Sequence, residues 1–386
     1  MSDRSLLMIP GPVELEPAVT QSLSEKQRGH VDPRFMATFS RALKRLRDVF
    51  LTTTAQPFVV AGSGTLAMEL AVANVIEPGD AVLVVNTGYF SDRMALILER
   101  YGAQVTHVRA EPGEVPEVAA VKKVLASGRF KAVTLTHVDT STGVLAPVEH
   151  LAALAREHGA LSLVDGVCSV GAEALRMDAW NVDVALTASQ KALGAPPGLA
   201  VLLASPRAMT AWKERKKPVP SLYLDFGEWL PVHQAYEAEK PSYFATPPVQ
   251  LVSALDVSLG QLLAEGLDAR FARHVKLAEA FRAGMRALGL TFLPAREEVM
   301  AHALSAVRYP RGVDAALVKA IAQQGVTVAG GLHPQLKGAY FRVGHMGAVG
   351  ANDVLAAVGA VERALAQTGA AKDVGAGVAA AEHALR

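Results

Sequence analysis

Between residues 55 and 205 the chain alternates short, unbroken apolar runs with longer stretches whose apolar positions recur at helical spacing. The runs are Phe58–Ala61, Ala81–Val85, Ala132–Leu135, Leu161–Val164, Val182–Leu186 and Leu199–Leu203. Between them, Thr65–Ile76, Asp92–Tyr101, Val115–Leu125 and Val148–His158 read as helices. Runs that are apolar at every position, rather than at alternate ones, predict strands buried on both faces. The pattern therefore predicts an α/β protein with a mostly parallel sheet covered by helices on both sides. Residues 206–248 break the rhythm with prolines, an aromatic cluster from Tyr223 to Phe244, and a basic run at Lys213 and Arg215–Lys217 that reads as a solvated face. From Val249 a long helical pattern leads to a smaller C-terminal α/β unit, with strands expected at Ala303–Arg308, Val326–Ala329 and Tyr340–Val343. The expected organisation is an N-terminal arm (1–20), a large domain (21–260) and a small domain (261–386). The Ala- and Gly-rich tail from Ala370 is read as a terminal helix or a frayed end.

Composition narrows the classes. Of 386 residues, 51% are hydrophobic and 19% charged, which excludes disorder. A net charge of +1 offers no electrostatic reason for a nucleic-acid partner. A single cysteine, Cys168, excludes an internal disulfide framework and reads as a small buried residue. No apolar run approaches the length of a membrane span, and the opening MSDRSLLMIPGP does not read as a signal peptide, so a cytoplasmic protein without a membrane partner is expected.

In an open parallel sheet, ligands bind beyond the carboxyl ends of the strands. There the sequence places Gly62-Ser63-Gly64-Thr65, Asn86-Thr87-Gly88-Tyr89, Thr136 to Gly143, Asp165-Gly166, and Thr187 to Lys191. The glycine turn before a helix can hold a phosphate on free backbone N–H groups, or it can be an ordinary capped turn. It also spells G-x-G-x-x-A, but the acidic residue a dinucleotide site needs is missing. Asp80 precedes the next strand, which ends at Asn86. Asp165 ends an apolar strand and needs a cationic partner, and no metal-ligand spacing surrounds it. Lys191 lies among small residues and can act as a nucleophile. A direct Asp165–Lys191 ion pair is the plain alternative. Phosphate cup, carboxylate and amine together make the parts list for pyridoxal phosphate.

The segment Ser189-Gln190-Lys191-Ala192-Leu193-Gly194-Ala195-Pro196-Pro197-Gly198 resembles the cofactor-lysine motif of class V aminotransferases, in particular the alanine–glyoxylate/serine–pyruvate group. Pro10-Gly11-Pro12, Gly62–Thr65, Thr136-His137 with Ser141–Val144, Val164–Val167, Tyr243–Pro248 and Arg342–Gly344 match in the same order. The resemblance implies a fold-type I homodimer binding pyridoxal 5′-phosphate. Lys191 would bond the cofactor covalently, Asp165 would bind its ring nitrogen, and Val167 would also contact it. Tyr89 would stack on the ring where many relatives carry tryptophan. Ser63, Gly64, Thr65 and Gln190 would hold the phosphate, with Tyr243 and Thr246 arriving from the partner subunit. Thr140 would lie beside the ring hydroxyl, and Arg342 would clamp the substrate carboxylate. Thr65 departs from the histidine of the animal enzymes, which leaves the amino donor open. No second basic residue for a distal carboxylate stands out, so alanine or serine with glyoxylate or pyruvate are the expected substrates. Sulfur transfer on the same scaffold would need a mobile nucleophilic cysteine, which Cys168 does not supply. A binding module without chemistry would not need both Lys191 and Asp165. His30, His137 and His345 are given no catalytic role; His137 is expected to hydrogen-bond within its loop and His345 to cap a turn.

Overall fold

The central element is a seven-stranded sheet in the order Gln56–Gly62, Gly198–Ala204, Val184–Ala188, Leu161–Asp165, Ala132–Thr136, Ala81–Asn86, Gln104–Arg109. The computed structural model describes residues 5–370 and 374–386. The first four residues of the expected arm, and 371–373 of the expected tail, lie outside the described residues. Alternate residues of each run enter different cores. Val59, Val85, Leu135 and Val164 pack on one side with the helices Pro33–Val49, Val148–Glu157 and Val249–Glu265. Val60, Val84, Leu163 and Leu186 pack on the other with Gly64–Val75 and Tyr89–Arg100. Two buried faces are the reason the runs are continuous rather than alternating.

The sheet departs from the sequence reading in three places. Gly198–Ala204 runs antiparallel to both of its neighbours, which apolar content alone does not encode. Gln104–Arg109 is an additional edge strand, paired only with Ala81–Asn86. Being at an edge it is largely exposed and carries no unbroken apolar run. The expected strand Val182–Leu186 runs instead from Val184 to Ala188.

A separate core gathers Leu277, Phe281, Val307, Ile321, Phe341 and Val358 around a three-stranded antiparallel sheet, Leu304–Arg308, Tyr340–Gly344 and Ala329–Gly330. The long helical pattern before it is two helices, Val249–Glu265 and Leu267–Ala287, divided at Gly266. The N-terminal segment joins this unit. Leu6–Leu7 pairs in parallel with Val326–Thr327, Met8 enters the core, and Gly344 N–H donates to the Met8 carbonyl. The tail includes a helix, Ala376–Leu385. Of the basic run, Arg215 is more than a solvated cation: its guanidinium donates to the Asn74 and Ile76 carbonyls and so closes the C-terminal end of the helix Gly64–Val75. Among the described residues no helix is long and apolar enough to cross a membrane.

Candidate active site

Asp165 is the last residue of a strand flanked in parallel by Ala132–Thr136 and Val184–Ala188. Its side chain is 3% exposed. One carboxylate oxygen accepts from the Val167 N–H at 3.0 Å. Burial, with repulsion from Asp139, outweighs that bond and the attraction of Lys191, pushing its pKa up to about 6. Asp165 belongs to none of the ion pairs among the described residues, so the direct Asp165–Lys191 salt bridge is not formed at bonding distance.

Lys191 sits on the connection between the antiparallel strands Val184–Ala188 and Gly198–Ala204. That connection is closed by Ser189 N–H to Leu199 O, Gly194 N–H to Lys191 O and Ala195 N–H to Ser189 O. Gly194 takes φ +70, a conformation side chains disfavour. The Lys191 amine donates to the Pro10 carbonyl, and the Val13 N–H donates to the Gln190 carbonyl. Any side chain on Gly11 would overlap the lysine.

The glycine turn does what an anion cradle requires. Ser63 is the N-cap position of the helix Gly64–Val75, yet its side chain makes no capping bond, leaving first-turn N–H groups available. Gly64 lets that turn approach the Asp165 strand; a Cβ there would press on Val167 and Ala188.

Ser63, Gly64, Thr65, Asp165, Val167, Gln190 and Lys191 line one cavity of about 190 Å³, together with Met68, Phe90, Arg93, Val138 and Cys168. Cys168 is buried, as expected. Gln190 Oε1 is buried without a hydrogen-bond partner. A buried carboxylate, an amine and a helix tip meet in one cavity, the set that a phosphorylated, protonatable heterocycle would satisfy. Tyr89 is not among the lining residues, whereas its neighbour Phe90 is. Thr140 and Arg342 form a second pair close by: Arg342 Nη1 donates to Thr140 Oγ1 at 3.0 Å and Nε to Gly330 O at 2.9 Å. Tyr243 is 63% exposed with its ring against His30, and Thr246 is exposed; neither lines the cavity of its own chain.

The sequence gives no sign of Arg93, and it places Asp139 at this edge without a role. Arg93 lies four residues beyond Tyr89, on the same helix face, and its Nη2 donates to the Tyr89 hydroxyl at 3.0 Å. The periodicity predicts a helix start at Asp92 rather than Tyr89, a start from which the pairing does not show. Asp139 is fully buried and accepts from Ser141 N–H, Ser141 Oγ–H and Phe90 N–H, while burial raises its pKa. The histidines also differ from expectation. His137 Nδ1 has no partner, its ring meets Trp180 edge-on, and burial lowers its pKa to about 4. His345 bonds Ser305 Oγ in the interior instead of capping a turn. A larger cavity of about 460 Å³ lies between His137, Trp180 and Val299. Its buried carboxylate, Glu173, is already satisfied by His302 and the Ala303 N–H.

The chain belongs to the class-V aminotransferase family, whose model matches residues 19–347. It is 41% identical to alanine–glyoxylate aminotransferase 1 of Saccharomyces cerevisiae, over 90% of this chain and 93% of that one. It is 34% identical to L-aspartate–glyoxylate aminotransferase of Paracoccus denitrificans, over 100% and 97%. The crystal structure of an alanine–glyoxylate aminotransferase from Nostoc superposes with a TM-score of 0.89 at 34% identity, covering 95% of this chain and 96% of that one. The fold is that of the fold-type I pyridoxal-phosphate transferases, the chain is an aminotransferase, and its cofactor is pyridoxal phosphate.

Proposed function

We propose that this chain moves the amino group of a small amino acid, alanine or serine, onto glyoxylate or pyruvate, as a cytoplasmic homodimer whose cavities are each completed by the other subunit. The observation that carries the reading is the placement of Asp165 and Lys191: a desolvated carboxylate without a cation, and an amine, lining the same small cavity at a helix tip. When bound, pyridoxal phosphate supplies a carbonyl carbon that exchanges amines and a ring that accepts electrons. Lys191 takes a proton from the substrate α-carbon and returns it on the other side of the exchange, acting as base and then acid. Asp165 keeps a proton on the ring nitrogen, because a carboxylate this buried is stabilised by a cation opposite it. Phe90, which lines the cavity where Tyr89 does not, would cover the ring face. Ser63, Gly64, Thr65 and Gln190 would hold the phosphate, and Val167, which lines the same cavity, would contact the cofactor. Arg342 orients the α-carboxylate of either acid and is itself aimed by Thr140. Exposure of Tyr243 and Thr246 on the single chain supports their service to a partner's phosphate. The arm (1–20), large domain (21–260) and small domain (261–386) are part of the same reading, supported by the separate core around Phe281 and Phe341.

Two relatives act with glyoxylate by name, which supports the acceptor, while their donors differ. The test is spectroscopic. The chain soaked in pyridoxal phosphate is expected to gain a near-visible band that alanine or serine bleaches and glyoxylate restores. A preparation that stays colourless would overturn the cofactor site. Aspartate outpacing alanine and serine by a wide margin, with glyoxylate as common acceptor, would overturn the donor assignment.

A further inference from the structure

We propose that Arg93 is a phosphate-binding residue of this site, supplying a fixed guanidinium beside the helix tip; the inference rests on the cofactor reading above. Arg93 lines the cavity with Ser63, Gly64 and Thr65. Its Nη1 donates to Thr65 Oγ1 at 2.9 Å, which holds it at the first turn of the helix Gly64–Val75. Its carbon centre lies 5.0 Å from the Tyr89 ring and 4.9 Å from the Phe90 ring, and Nη2 bonds the Tyr89 hydroxyl. Two rings and two hydroxyls therefore fix its plane before any ligand arrives, while unused N–H donors remain. Arg93 takes part in none of the ion pairs among the described residues, unlike Arg109 on the next strand, which pairs with Asp92. A half-buried cation and the positive end of a helix repel each other without an anion between them. A phosphate ester, which presents several oxygens, would accept from both. Asp165, the second independent sign of a ligand here, is a buried carboxylate facing the same space without a partner cation. A distal substrate carboxylate is the rival anion. The Thr65 bond argues for the ester, since it ties the guanidinium to the helix tip rather than to Arg342.

The experiment titrates the full-length apoprotein with pyridoxal phosphate and with pyridoxal, which lacks the ester. Arg93→Gln and Arg93→Lys are compared with wild type by absorbance. Thermal shifts of each apoprotein with inorganic phosphate form a parallel arm. Arg93→Gln is expected to weaken pyridoxal phosphate at least about tenfold, as for a lost charge-assisted hydrogen bond, and pyridoxal by less than about twofold. Arg93→Lys, which keeps the charge and loses the fork, should fall between. Phosphate should raise the melting temperature of wild type more than that of either variant. Equal losses for both vitamers would mark a structural role and overturn the proposal. So would unchanged cofactor affinity with a KM raised for aspartate alone, which would make Arg93 a reader of a distal carboxylate. If Arg93→Gln does not fold, Arg93→Lys decides by the same comparison. Wild type that binds neither vitamer would strike at the cofactor reading instead, and the phosphate shifts would still decide on Arg93.

Discussion

Asp165 holds a carboxyl group where water barely reaches, and the folded apoprotein bears that cost. Its pKa of about 6 lies above the ordinary 3.8, so between those values the folded chain binds its proton more tightly than the unfolded chain does. The contribution of this group to stability is therefore greatest below about pH 4 and falls as pH rises through 6. Asp165→Asn removes that slope. In urea melts without cofactor, the variant is expected to gain on the order of 2 kcal/mol over wild type at pH 7.5 and almost nothing at pH 4. The same variant should lose most of its turnover. Equal stability differences at both pH values would contradict the charge argument. Asp165 and Lys191 were legible in the sequence because each follows an apolar strand, and a charged residue in that place has few structural uses. Arg93 was not: on a helix an arginine reads as solvated until the helix start, and hence its facing, is known.

The turn Asn86-Thr87-Gly88 sets where the helix Tyr89–Arg100 begins, and so where Phe90 and Arg93 point. Gly88 takes φ +156, and a Cβ there would meet the Asp139 carboxylate, whose oxygen receives the Phe90 N–H. Gly88→Ala is expected to cost about 2–4 kcal/mol in urea unfolding, from strain and overpacking combined, and to weaken pyridoxal phosphate binding. A variant with wild-type stability and affinity would show that this turn does not fix the ring platform. Element types followed from periodicity, because two packed faces demand continuous apolar runs. Strand direction did not, which is why Gly198–Ala204 was unforeseen as antiparallel. The edge strand Gln104–Arg109 was missed because an edge needs less apolar content. Asp139 stands in the Thr136–Gly143 segment, but only its backbone partners reveal that it braces Phe90.

At the scale of the whole molecule, a site completed by a partner predicts complementation. Lys191→Ala subunits keep an intact Tyr243 and Thr246, while the Tyr243→Ala/Thr246→Ala double variant keeps its lysine. Each homodimer alone should be nearly inactive. After unfolding and refolding an equal mixture, random pairing should restore about a quarter of wild-type turnover, since half the dimers would contain one whole site. No recovery, or a fully active monomer on sedimentation, would contradict the shared site. The two cores were visible in the sequence as a change of rhythm, whereas the return of residues 6–8 to the C-terminal core was not, because so short a strand leaves no periodic trace.

That return has a mechanical consequence. Residues 6–13 form a short ribbon stitched at one end to Gly325, Thr327 and Gly344, and at the other to the backbone of Gln190 and the amine of Lys191. Tilting one core against the other would tug on this ribbon, so the Lys191 amine is tethered to a lever whose far end belongs to the smaller core.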